Sequence, residues 1–286
     1  MPAQSRLADC PILSRLRSIA SVLMVTIFLS GCSTWKLAWK DEFRGPAGSR
    51  PDATKWSFDL GGGGWGNHEL EYYTDEPENA YLDGSGYLVI SALPWATPAI
   101  SRMDCWYGPC LYTSARLLTV DRYSFTYGRV EARIRVPYGK GFWPAFWMLG
   151  GNYRQVTWPV CGEIDIMEID GGNLSTLYGT IHGPGSSGAY SIPIKFTLPT
   201  GADFSDDYHI YAVEWEPDQI RWYVDANLYG SINKYELTQT EQWVFDQPFI
   251  ILLNVAIGGD FPGSPDSSTH FPQKMYVDYV RVYQHP

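Results

Sequence analysis

Positive charge is what this sequence has least of. Its 286 residues carry 21 Lys and Arg against 31 Asp and Glu, and only 18% of them are charged at all. Nucleic-acid binders present basic patches or stripes, so the composition argues against that class of partner. Helical periodicity is nearly absent as well. Only five cysteines occur, and none of their spacings suggests a zinc site. The longest apolar run, Ile19 to Ser30, is too short to span a bilayer comfortably. From about residue 35 to the end there is no linker, low-complexity tract or internal repeat, so roughly 250 residues read as one domain.

The short apolar run has a use of its own. Arg6, Arg15 and Arg17 precede "IASVLMVTIFLS", which ends in "LSGC" at Cys32. A basic segment, a short apolar stretch and small residues before a cut describe a cleavable export signal over residues 1–31. The "LSGC" ending resembles a bacterial lipoprotein lipobox, which implies that Cys32 becomes the lipid-bearing first residue. The expected location is then the bacterial cell envelope, lipid-anchored at the outer membrane or cell surface, or outside the cell if the anchor is absent. Removing Arg6, Arg15, Arg17 and Asp9 leaves 18 basic and 30 acidic side chains, a net charge of −12. Cys10 leaves with the signal. Cys105 and Cys110, in "CWYGPC", could close a small loop as a disulfide in an oxidising compartment. Cys161, between Val160 and Gly162, reads as a small buried residue.

Aromatic residues are abundant: 12 Trp, 20 Tyr and 12 Phe, in a chain that is 45% apolar. Surplus aromatics often stack on flat ligands such as sugars, although Tyr and Trp also favour strands. Alternation recurs in "GRVEARIRV", "EIDIM", "IRWYVD" and "MYVDYVRVY", separated by turn clusters such as "DLGGGG", "LDGSG" and "GPGSSG". Many strands joined by decorated loops predict an all-β, two-sheet antiparallel sandwich. In Gly128 to Val136, Val130, Ala132, Ile134 and Val136 share one face. Arg129, Glu131, Arg133 and Arg135 share the other, which is either a solvated surface or a binding face.

One strand breaks the rule of alternation. In "CGEIDIMEID", Glu163 and Asp165 share a face, but Glu168 comes one residue late. Three acids this close repel one another and call for a reason. A β-bulge between Asp165 and Glu168 would restore phase and return Glu168 to the face of the other two. Glu163 and Glu168 would then bracket a substrate as a nucleophile and an acid/base, the pair that retaining glycosidases need. Crowding also raises at least one carboxyl pKa, which keeps an acid protonated near neutrality.

At this point a resemblance becomes specific. "GEIDIME" resembles the E-x-D-x-x-E signature of glycoside hydrolase family 16. The likeness extends through "WGNHELEYYT", "YGRVEARIRVPYGKGFWPAFWML", "TIHGP", "ILLNVAIGGDFPG" and "YVDYVRVY", in laminarinase-type order. It implies that residues 32–286 form a single catalytic domain, a concanavalin A-like β-jelly-roll with an open cleft across the concave sheet. It also implies endo-acting, retaining hydrolysis of β-1,3-glucan. Glu163 would be the nucleophile, Glu168 the acid/base, and Asp165 the residue that hydrogen-bonds and tunes the nucleophile. The bulged spacing sets this group apart from the E-x-D-x-E mixed-linkage glucanases and xyloglucan enzymes. The same chemistry on mixed-linkage glucan, agarose or carrageenan, or a non-catalytic glucan-binding sandwich, are the competing readings. The intact acids oppose the last of these.

Further site candidates follow. Trp143, Trp147 and Trp158 stand near the acidic strand, where the family uses tryptophans as sugar platforms; at least one of Trp143 and Trp147 is expected in the core. Asn67, Glu131 and Asn254 are candidates to hydrogen-bond sugar hydroxyls. Asn254 stands out because an amide on the apolar strand "ILLNVA" is costly unless satisfied. His182 either approaches the leaving-group side or is structural. Asp278, in phase with Tyr276 and Val280, needs a partner. That partner is either a hydrogen-bond donor or, as the resemblance implies, a structural calcium. No cofactor is expected for catalysis, and the expected partners are a polysaccharide and, through Cys32, a membrane. A monomer is expected.

Overall fold

The computed structural model describes residues 35–94, 103–186 and 188–286; residues 1–31, expected to be an export signal, and Cys32 lie outside these. Strands dominate, and the only helical turn among the described residues is a 3-10 turn at Lys234–Glu236. Two sheets make the sandwich. One has ten strands, with Gly128–Arg135 and the C-terminal Gln273–Gln284 at its centre. The other has seven. Its order is Gly188–Thr197, Thr176–Gly185, Glu163–Glu168, Phe142–Gly150, Phe249–Ile257, Arg116–Leu118 and Ser57–Asp59. Pairing is antiparallel in both sheets except between Glu71–Tyr73 and Tyr112–Ser114, which run parallel.

The core lies between the two sheets, and period-two alternation fills it. Val130, Ala132 and Ile134 of the larger sheet meet Phe142, Phe146, Met148, Ile164 and Ile181 of the smaller one. Full burial of such side chains contributes roughly 1.5–3 kcal/mol each, so any residue that leaves phase is held by its neighbours. Cys161 is buried, and Cys105 and Cys110 form a disulfide.

Two bulges set the phase of acids singled out in the sequence. On one side of the acidic strand, Phe146 pairs with Met167 and Trp147 with Asp165, so Ile166 has no partner of its own. On the other side, Asp165 pairs with Thr180 and Glu168 with Tyr178. Two residues, Ile166 and Met167, therefore oppose one, and both point into the core. The second bulge was not legible beforehand. Arg133 pairs with Tyr279 and Ile134 with Val277, which leaves Asp278 extruded. Val277, Val280 and Val282 are all in the core. Asp278 is thus out of phase with Val280, contrary to the plain alternation expected for this strand.

Glu131 and Asp278 both lie on the outer face of the ten-stranded sheet, with the core between them and the acidic strand. Glu131 accepts from Arg129 Nε at 3.0 Å and from the Tyr283 hydroxyl at 3.3 Å. The polar face of its strand is a solvated ion-pair surface, so Glu131 is not brought to the cleft. Asp278 accepts from Arg133 Nη1 at 2.8 Å. A guanidinium on that oxygen is a poor neighbour for a calcium ion, and the site does not fit the metal. The partner this half-buried Asp needs is an arginine.

Candidate active site

Outward-facing residues of the seven-stranded sheet converge on a cavity of about 570 Å³. On Phe142–Gly150 the phase that buries Phe142, Phe146 and Met148 turns Trp143, Ala145, Trp147 and Leu149 outward. Neither tryptophan is therefore in the main core, although Trp147 packs on a smaller cluster around Leu149, Ile250 and Leu252. Thr176–Gly185 supplies Tyr178, Thr180 and His182, and Gly188–Thr197 supplies Ser191, Pro193 and Lys195. Asn254, Ala256 and Arg116 come from the other side. The lining spans six adjacent strands, about 24 Å at the usual interstrand spacing. A cavity of that length admits several sugar units.

At its centre are the three acids. Trp143 donates its indole N–H to Glu168 Oε1 at 3.0 Å. His182 Nε2 lies 3.0 Å from Asp165 Oδ2 and 3.7 Å from Glu163 Oε1. The Asp165 carbonyl accepts from Trp222 Nε1 at 2.7 Å, which pins this strand to the opposite sheet. Burial is the main force on all three carboxyls. It pushes Glu163 up to about 8, reinforced by the Asp165 charge and opposed by His182. Burial raises Asp165 too, to about 8, while its hydrogen bond with Glu163 pulls the other way. Glu168 is raised well above the usual carboxylate range by burial and then by Asp165 and Glu163; His182 and the Trp143 N–H oppose that rise. Three mutually repelling acids in a low-dielectric site hold protons that isolated ones would lose.

The remaining candidates divide by position. Asn254 Oδ1 accepts from Trp147 Nε1 at 2.7 Å, and Asn254 Nδ2 donates to the Tyr73 hydroxyl at 3.1 Å. That hydroxyl donates to Glu69 Oε2 at 3.0 Å, and Asn67 Nδ2 reaches Glu69 Oε1 at 3.3 Å. Asn254 is thus satisfied by protein and orients the Trp147 indole. Asn67 lines the cavity at the same end. Trp158 stands half-exposed at the rim, tilted against His182 with ring centroids 6.0 Å apart.

Several lining residues escaped the sequence reading. Arg116 lies over both Trp65 and Trp147, 4.9 and 4.7 Å from their ring centroids, and pairs with Asp59 at 3.0 Å. Phe261 bridges Trp143 and Tyr178, at 5.1 and 5.2 Å. Tyr178 and Thr180 were accessible in principle, because they alternate in phase with His182. Phe261 is in a loop and had no such signal.

Glu163, Asp165 and His182 offer one donor atom each, all within 4.8 Å of one another. Imidazole with two carboxylates suits a transition metal better than calcium, but two-carboxylate glycoside chemistry requires no metal.

A β-sandwich whose bulged strand presents two glutamates and an aspartate to a long aromatic-lined cleft is the architecture of a glycoside hydrolase. This chain belongs to the glycosyl hydrolases family 16, whose model matches residues 66–281. It is 42% identical over 266 residues to a β-glucanase of Rhodothermus marinus, covering 87% of this chain and 85% of that one. Among solved structures, the laminarinase catalytic domain of Thermotoga maritima is 48% identical, with a TM-score of 0.79, covering 88% of this chain and 99% of that one. The endo-β-1,3-glucanase of Pyrococcus furiosus is also 48% identical, with a TM-score of 0.79, covering 88% and 95%.

Proposed function

We propose that this protein cleaves internal β-1,3 linkages of glucans with retention of configuration. The observation that carries the reading is the Ile166–Met167 bulge, which puts Glu163 and Glu168 on one face of a cleft long enough for a polymer. Glu168, kept protonated by burial and its acidic neighbours, gives its proton to the glycosidic oxygen as that bond breaks. Glu163 attacks the anomeric carbon and forms a glycosyl ester. Attack proceeds from the form of the site in which the Glu163–Asp165 pair holds one proton; Asp165 keeps it, and Glu163 is the carboxylate. His182, close to both, favours that charge. Glu168, now ionised, takes a proton from water, which attacks the same carbon and releases Glu163. Two inversions return the β configuration.

The relatives' activities support the β-1,3 assignment, and a polysaccharide panel with proton NMR tests it. Laminarin should be cleaved faster than lichenan, agarose, carrageenan or xyloglucan, with β-anomers seen before mutarotation. Early α-anomers would refute the retaining mechanism, and a preference for another polymer would move the substrate class. A protein that binds laminarin without cleaving it would instead support the binding-sandwich reading.

The location is part of the proposal. The "LSGC" ending supports anchoring through lipidated Cys32, and stable attachment takes more than one acyl chain. Mass spectrometry of the mature N-terminus should find acylated Cys32, and Cys32→Ser should release the protein from the membrane fraction. An unmodified N-terminus would overturn the anchor.

A further inference from the structure

The cavity ends at Trp65, Asn67 and Glu69, but the aromatic surface continues beyond it. The disulfide loop Cys105–Cys110 lies against this end: Cys105 bridges to Gly62, and the Trp106 amide donates to the Gly62 carbonyl at 2.8 Å. Trp106 also donates its indole N–H to the Glu69 carbonyl at 2.7 Å. The contact with the glycine loop is close. A Cβ on Gly64, whose φ is +77°, would sit 2.8 Å from the Trp106 ring. The next residue, Tyr107, donates its hydroxyl to the Leu70 carbonyl at 2.6 Å and accepts from the Leu111 amide. The loop is thus fastened to the segment that forms the cleft end at several independent points. Even so, Trp106 remains half exposed (50%), and so do Leu60 and Leu111 on the adjoining segments (57% and 54%).

A single exposed tryptophan is unremarkable on a protein surface. This one differs in having its N–H already engaged and its orientation fixed by a crosslink, so that what it offers outward is apolar ring. Such a ring costs little entropy to use and matches the C–H face of a pyranose. Its neighbour in the cleft, Glu69, belongs to the chain of hydrogen bonds that ends on Trp147.

We infer that Trp106 is a distal glucan subsite, an outlying stacking platform that engages a sugar unit beyond the cavity on the Trp65 side. The inference rests on the polysaccharide reading above and adds to it a dependence on chain length. Short oligosaccharides are held by the central cavity alone, whereas longer chains reach the platform.

The test compares wild type, Trp106→Ala and Trp106→Phe on β-1,3-gluco-oligosaccharides of increasing length and on laminarin. Trp106→Ala should raise KM for the longest substrates and lower their kcat/KM about tenfold, the equivalent of about 1.4 kcal/mol. Values for the shortest cleavable oligosaccharides should be unchanged. Trp106→Phe keeps a stacking face but loses the bond to Glu69, and should retain most of the preference for long chains. Equal losses at every length, no loss at any length, or a Phe variant as impaired as the Ala variant would each overturn the subsite. Wild type that cleaves no β-1,3-glucan would overturn the proposed function and the subsite with it.

Discussion

Trp143 and Glu168 are diagonal neighbours across two paired strands, joined by a 3.0 Å hydrogen bond from the indole N–H to Oε1. Glu168 pairs directly with Ala145, and Trp143 lies two residues along on the same face. The bond stabilises the ionised carboxylate and so restrains the rise that burial imposes. Trp143→Phe removes that restraint. The alkaline limb of kcat/KM, which reports loss of the Glu168 proton, should move to higher pH while the maximum rate falls. A limb that moves to lower pH would show that another group controls it.

Glu163→Ala removes the nucleophile and Glu168→Ala the acid/base, and each should lower kcat on polysaccharide by at least about a thousandfold, the middle of the range for losing an acid/base group. Circular dichroism and thermal melting should remain those of a folded protein, because both side chains face the cleft. Near-normal turnover in either variant would reassign the roles.

Asp165 provides a test through stability. Its carboxyl, like that of Glu163, is raised from the usual carboxylate range to about 8 by burial. A raised folded-state pKa contributes stability that is complete below the unfolded pKa and is lost as pH rises through the folded one. Wild type should therefore weaken between about pH 4 and pH 9. Asp165→Asn, with no proton to lose, should show a flatter decline and melt above wild type at pH 9 by more than the about 2–4 °C that 1 kcal/mol is worth at this chain length. Calorimetry across pH measures this, and parallel profiles would contradict the buried-acid account.

Asn254 should matter more to folding than its single amide suggests. Asn254→Leu leaves the Trp147 N–H without its acceptor and the buried Tyr73 hydroxyl without its donor. The expected cost is about 1–3 kcal/mol in urea unfolding, together with weaker binding of oligosaccharide as Trp147 loses its fixed orientation. A variant as stable as wild type would show that these groups find other partners.

The Arg133–Asp278 pair predicts indifference to chelation. With the carboxylate engaged by a guanidinium at 2.8 Å, EDTA should leave the melting temperature unchanged. A drop that calcium reverses would identify a metal site that the side-chain geometry does not suggest.

What the sequence disclosed and what it hid follow from period two. Alternation located the strands, the outward acids and the buried Ile164 and Ile166, and the late Glu168 announced its own bulge by breaking the pattern. The bulge at Asp278 gave no such signal, because Tyr279 is as plausible inside a sandwich as outside. Glu131 illustrates the complementary failure: alternation assigns a face of a strand but not a sheet of the sandwich. Arg116 and Phe261 reach the cleft, and Trp106 a place beyond its end, through strand order and loop closure, long-range relationships that no local spacing encodes.

The bulge has a consequence for how this strand could change by mutation. Ile166 and Met167 enter the core side by side, and Glu168 regains its face only because the bulge sets the two of them opposite a single residue. Loss of a single codon at Met167 would shorten the run to plain alternation, and Glu163, Asp165 and the displaced glutamate would still share a face. The catalytic trio is therefore indifferent to parity at this one place, whereas a deletion between Glu163 and Asp165 would turn an acid into the core. An E-x-D-x-x-E strand and an E-x-D-x-E strand are one deletion apart, with a core cavity, not a lost active site, as the obstacle between them.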